Sequence, residues 1–79
     1  MSYSSHRKKA LDITQPIKHR VSHARSCTVC VSEKFRVDRA AVIGEILNRS
    51  GVDLNSTENS DDLIKALDVL EIIRFDGMQ

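Results

Sequence analysis

A chain of 79 residues holds one domain at most, and at this length folding buries only roughly 60% of the unfolded chain's surface, so the fold is marginal by itself. Twelve Lys and Arg against eleven Asp and Glu leave a net charge of +1, and two cysteines are too few for a disulfide framework. No run approaches the ~20 apolar residues that a bilayer span needs, and the N-terminus lacks the apolar core of a signal peptide. The expectation is a cytoplasmic protein with reduced cysteines, no membrane association, and a second copy of the chain as its source of stability.

Residues 1–24 read as a flexible basic N-terminal arm. Leu11, Ile13, Ile17 and Val21 settle on no single period, and Pro16 interrupts any helix through the middle. Disorder is expected in the free protein, with a short ordered piece near residues 17–24 on binding. The remaining residues, 25–79, read as a strand-helix-helix dimerisation domain.

In that domain Cys27, Val29 and Val31 alternate with Ser26, Thr28, Cys30 and Ser32, the period of a half-buried strand. A lone strand leaves its backbone groups unpaired, and Ile72–Phe75 is the one further stretch with any strand character. The same strand of a second copy is therefore the natural partner. Ser32 suits a helix N-cap and Glu33 the first turn, so a first helix is predicted from about Glu33 to Asn48. Gly44 inside it suggests close approach of another backbone. Gly51 is a natural residue to end it.

Residues 52–60 form a turn-rich connector. A second helix is predicted over about 61–74, with Ser60 as its cap. Leu63/Ile64, Ala66/Leu67, Val69/Leu70 and Ile72/Ile73 spread apolar surface around most of its circumference. A helix apolar on so many sides is buried on several, which in so short a chain again implies a second subunit.

The charge is divided along the chain. Residues 1–30 carry six basic side chains against one acid, and residues 51–79 two against seven. A basic arm before an acidic end suggests a polyanion for the arm, or a solvated terminus that only aids solubility.

Taken together, TVCVSEKF (Thr28–Phe35), a helix ending at NRSG (Asn48–Gly51) and SDDLIKALDVLEI (Ser60–Ile72) resemble the ribbon-helix-helix family of dimeric DNA-binding proteins over about residues 25–75. The resemblance implies a mostly α fold with one short strand: an obligate homodimer of strand, helix, long turn and helix behind the basic arm. It implies that two strands pair into a ribbon in the major groove, with Ser26, Thr28 and Cys30 toward duplex DNA and Cys27, Val29 and Val31 toward the core. Arg25 and the arm, with Arg7, Lys8, Lys9, Lys18 and Arg20, would add phosphate contacts. The chain departs from the family in its longer connector, in Asp61 and Asp62 opening the second helix, and in a ribbon without the best base-reading side chains.

His19, His23, Cys27 and Cys30 are all zinc ligand types, in the pattern H-x3-H-x3-C-x2-C. One helix carrying all four cannot wrap a tetrahedral ion, and on a strand the two cysteines point apart. No cofactor is therefore expected, with zinc as the alternative. A redox role for the cysteine pair wants a helix start beside it, and none is predicted there. No catalytic constellation or glycine-rich phosphate loop is visible, so the reading is not an enzyme. Two functions follow. One is a small dimeric DNA-binding regulator, a repressor, partition or antitoxin-like factor. The other is a small regulatory protein that binds another protein through its acidic, apolar C-terminal helix without touching DNA.

Overall fold

In the computed structural model, which describes residues 1–78, the chain is a bundle of four helices: α1 (Tyr3–Ala10), α2 (Ile17–Phe35), α3 (Arg39–Ser50) and α4 (Ser60–Asp76). Among the described residues there is no strand. The expected ribbon-helix-helix architecture is thereby overturned, and with it the pairing of two strands across a dimer.

The predicted strand lies wholly inside α2. The residues that alternate at period two also satisfy a helical period: Val21, Ala24, Cys27, Thr28 and Val31 recur at steps of three and four and are the buried face. Val29, expected in the core, lands on the outside. Three hydroxyls fit the helix by bonding back to its own carbonyls. Ser26 Oγ donates to Ser22 O at 3.2 Å, Thr28 Oγ1 to Arg25 O at 2.6 Å and Ser32 Oγ to Val29 O at 2.7 Å. Such bonds remove the penalty of burying a hydroxyl against a helical backbone. Ser32 is thus a buried residue within a helix and not a cap.

The helix break falls at Arg36, whose φ of 56° is left-handed and whose amide bonds Glu33 O at 3.3 Å. Val37 N reaches back to Ser32 O at 3.0 Å, closing the last turn. Glu33 to Phe35 therefore finish α2, and the next helix starts at Arg39 rather than Glu33. It ends where the sequence reading placed its stop, at Gly51, which has a φ of 77°. Gly44 is exposed, and a Cβ placed there would meet nothing within 4 Å, so no backbone approaches it within the chain.

The N-terminal residues are built into the bundle rather than trailing from it. Ser2 caps α1 by accepting from Ser5 N at 3.2 Å. Asp12 Oδ1 accepts from Thr14 N and Oγ1 at 3.0 Å and 2.6 Å, shaping the turn to Pro16, which precedes the first residue of α2. Tyr3 and Ala10 are buried. In the connector, Asp53 Oδ1 accepts from Asn55 N at 2.9 Å while Val52 and Leu54 turn inward. Asn59, not Ser60, caps α4, accepting from Asp62 N at 2.9 Å.

One cluster forms the core, joining Ala24, Cys27 and Val31 of α2 to Val42 and Ile46 of α3 and to Leu63, Leu67, Leu70 and Ile73 of α4. Leu63, Ala66, Leu67, Leu70 and Ile73 of α4 thus find cover within a single chain, on α2 and α3, while Ile72 stays exposed. No helix among the described residues is long and apolar enough to cross a membrane.

Candidate functional site

The residues expected to contact DNA do not share a surface. Thr28 is buried and Cys30 half-buried, both within α2. Half-buried Ser26 spends its hydroxyl on the backbone, as above. Arg25 donates through Nε to Leu54 O at 3.3 Å and through a terminal nitrogen to Asn55 O at 3.1 Å, holding the connector against α2. Arg7 turns toward α4: its Nε lies 2.9 Å from Glu71 Oε2, and a terminal nitrogen lies 3.8 Å from Asp68 Oδ1. The closer contact is a charge contact rather than a directed hydrogen bond, because the N–H is not aimed at the carboxylate. Arg20 is buried.

Three of the nominated cations remain exposed and outside every ion pair among the described residues: Lys8 and Lys9 at the end of α1, and Lys18 at the start of α2. Beside them Lys9, Asp12, Gln15, His19 and His23 line a shallow hollow of about 310 Å³. Lys9 and Asp12 also border a neighbouring hollow of about 470 Å³, with Ser5 and Lys8. Both are open and lined by polar or charged residues. The larger groove, about 560 Å³, lies where Ile17, Val21 and Arg25 face Asn55 and Thr57 of the connector.

The structure does not gather His19, His23, Cys27 and Cys30, the ligands of the alternative zinc reading, into one site. His23 pairs with His6 of α1, Nδ1 to Nδ1, at 3.0 Å. Cys27 is fully buried with its Sγ 3.7 Å from Tyr3 O, and burial, with the neighbouring Cys30 adding to it, pushes its thiol up to about 12. His19 is exposed and Cys30 is a free thiol one turn further along α2. Among the described residues no three His, Cys, Asp or Glu side chains gather as a metal site would require. The His6–His23 contact puts one ring in the donor role and the other in the acceptor role, so at least one of the two is neutral. Partial burial lowers the pKa of His6, and His23, the N-terminal amine and Lys9 lower it further.

The outer face of α4 was not singled out by residue in the sequence. At 100° per residue Asp61, Lys65, Asp68, Ile72 and Phe75 fall on one side of the helix, opposite Leu63, Leu67 and Leu70. Ile72 is 51% exposed and Phe75 74%. Arg74 stacks its guanidinium on the buried Tyr3 ring, 4.3 Å from its centroid, and lies 5.6 Å from the Phe75 ring. Burial is the main reason the Tyr3 phenol is held well above its ordinary pKa, and the Glu71 carboxylate near it adds to the effect. The sequence signal for this face was the surplus of apolar residues over what one stripe accommodates.

Compared with known protein families, with curated proteins and with solved structures, the chain matches none.

Proposed function

We propose that this chain is a small binding protein, not an enzyme, and that it engages a protein partner through the outer face of α4. The observation that carries this reading is the exposure of Ile72 (51%) and Phe75 (74%), a helical turn apart on a face that also bears Asp61 and Asp68. Adjacent exposed aliphatic and aromatic side chains are the usual anchors of a helix-mediated contact. Asp61 and Asp68 outnumber Lys65 on that face, which favours a basic partner segment. The occupant is thus a cationic amphipathic stretch of another protein. A selection from displayed random peptides tests this: enriched peptides should combine Lys or Arg with large apolar residues and should lose most of their binding to an Ile72→Ser/Phe75→Ser double variant. Equal binding to that variant removes the reading.

A second reading rests on Lys8, Lys9 and Lys18, three exposed ammonium groups without ion-pair partners among the described residues. They support contact with the phosphates of duplex DNA, as expected of a DNA-binding regulator, but now from the surface of two helices. Titration with duplex DNA at two salt concentrations separates the readings. Phosphate binding through these lysines has a salt slope of roughly 0.9 per phosphate neutralised, and charge-neutralising substitutions at all three flatten it. Binding that survives those substitutions unchanged rules this reading out.

A further inference from the structure

Arg20 is the one charged side chain buried among the described residues, at 4% exposure. Its Nε donates to Ala10 O at 2.8 Å and its Nη1 to Ser60 Oγ at 3.0 Å, while Nη2 is buried without a partner. It takes part in none of the ion pairs among the described residues. Asp12 feels its charge, but the Asp12 carboxyl is held below its ordinary value first by the Thr14 hydroxyl and amide, and Arg20 contributes only after these. A guanidinium removed from water and given only neutral partners is expensive to bury, and an orphaned nitrogen on it calls for an explanation.

The place where Arg20 reaches is the start of α4, a helix of 17 residues whose first residue is Ser60. Asn59 takes the amides of Asp62, through its side chain, and of Leu63, through its carbonyl at 3.2 Å. The amides of Ser60 and Asp61 have no acceptor among the described residues. Ser60 is half-buried, and its hydroxyl accepts from the buried guanidinium.

We propose that Arg20, the Ser60 hydroxyl and the free amides of Ser60 and Asp61 form a binding site for a phosphate-sized oxyanion. The anion takes the proton of the Ser60 hydroxyl and the two free amides, while the guanidinium, which donates to Ser60 Oγ, supplies the opposite charge from within. Asp61 and Asp62 oppose it, but both are exposed, and water and salt screen them more than the buried Arg20. The site borders the outer face of α4 at Asp61, but the inference depends neither on that face binding a partner nor on Lys8, Lys9 and Lys18.

The test uses the whole chain and inorganic phosphate as the probe, with chloride at matched ionic strength as reference. Amide chemical shifts followed through the titration are expected to move most at Ser60 and Asp61 and to saturate. The unfolding midpoint should rise with phosphate beyond the chloride reference, as ligand binding to the folded state requires. Arg20→Gln should abolish both effects. Ser60→Ala, which keeps the guanidinium, should weaken them several-fold and serves as the deciding variant if Arg20→Gln fails to fold. Phosphate behaving as chloride does, or shifts centred on Lys8, Lys9 and Lys18, or effects that persist unchanged in the variants, would mean an adventitious ion only and would overturn the proposal.

Discussion

Cys27 and Cys30 sit three positions apart on one helix, and their surroundings differ enough to be read by chemistry. Cys27 is fully buried with its thiol pushed up to about 12, so almost none of it is thiolate at neutral pH. Cys30 is only half-buried. An alkylating reagent should therefore label one thiol in the folded protein, at Cys30, and the second only after denaturant is added; mass mapping of the labelled peptide checks this. The same contrast of burial governs the apolar residues of α4. Leu67 is fully buried, and Leu67→Ala should lower stability by about 2–5 kcal/mol. Phe75→Ser, on the exposed face, should stay within about 0.5 kcal/mol of the native protein in a denaturant titration. A large loss from Phe75→Ser would mean that the ring supports the fold and is not held for a partner.

Among the elements, α1 is the shortest, and it is held by buried Tyr3 and Ala10, by Arg20 donating to Ala10 O, by the Arg7–Glu71 ion pair and by the His6–His23 contact with α2. An ion pair with both side chains partly exposed contributes at most about 1 kcal/mol. The histidine contact is the pH-sensitive part. Because the pKa of His6 is lowered in the folded protein, folding favours the neutral ring. That contribution is fully present above the ordinary histidine value near 6.5 and is lost as pH falls below it toward the lower folded value. Thermal unfolding should show a falling midpoint as pH drops from 7.5 toward 5, and His6→Gln should make that dependence shallower. An unchanged pH profile in the variant would remove the histidine pair as its source. At the other end of the chain Asn59 carries the cap of α4, and Asn59→Ala should cost about 1 kcal/mol in equilibrium unfolding.

At the scale of the molecule, the core closes within one chain: residues from α1, α2, the connector, α3 and α4 meet in a single cluster. A ribbon dimer has no folded single chain, whereas a self-contained bundle does. The urea midpoint should accordingly be independent of protein concentration over a hundredfold range, and a midpoint that rises with concentration would show that a second copy completes the fold. The distribution of charge is also a property of the whole. The basic residues of α1 and α2 and the acids of α4 are joined by Arg7 reaching Glu71, so the divided charge of the sequence becomes a contact between the first and last helices. Lys8, Lys9 and Lys18 remain exposed on α1 and α2, and Asp61, Asp68, Ile72 and Phe75 on α4.

What the sequence determined by itself is local. The Pro16 break, the stop at Gly51, the turn-rich connector and the helix that follows it are written in residues whose conformational preference acts over one turn of chain. The surplus of apolar residues on the last helix was legible too, but not which of them would be covered. Residues 26–32 were ambiguous because Val, Thr, Cys and Ser in alternation fit a pleat and a helix equally well. Only the packing of Ala24, Cys27 and Val31 against α3 and α4, with the hydroxyls satisfied by their own helix, decided for the helix. Tertiary structure likewise decided that Arg25 ties down a connector, that Arg20 enters the core and that His23 meets His6 and not the cysteines. The reason is physical: burial and partner choice are set by residues far apart in the chain, and a one-dimensional pattern records only the periods that make such contacts available.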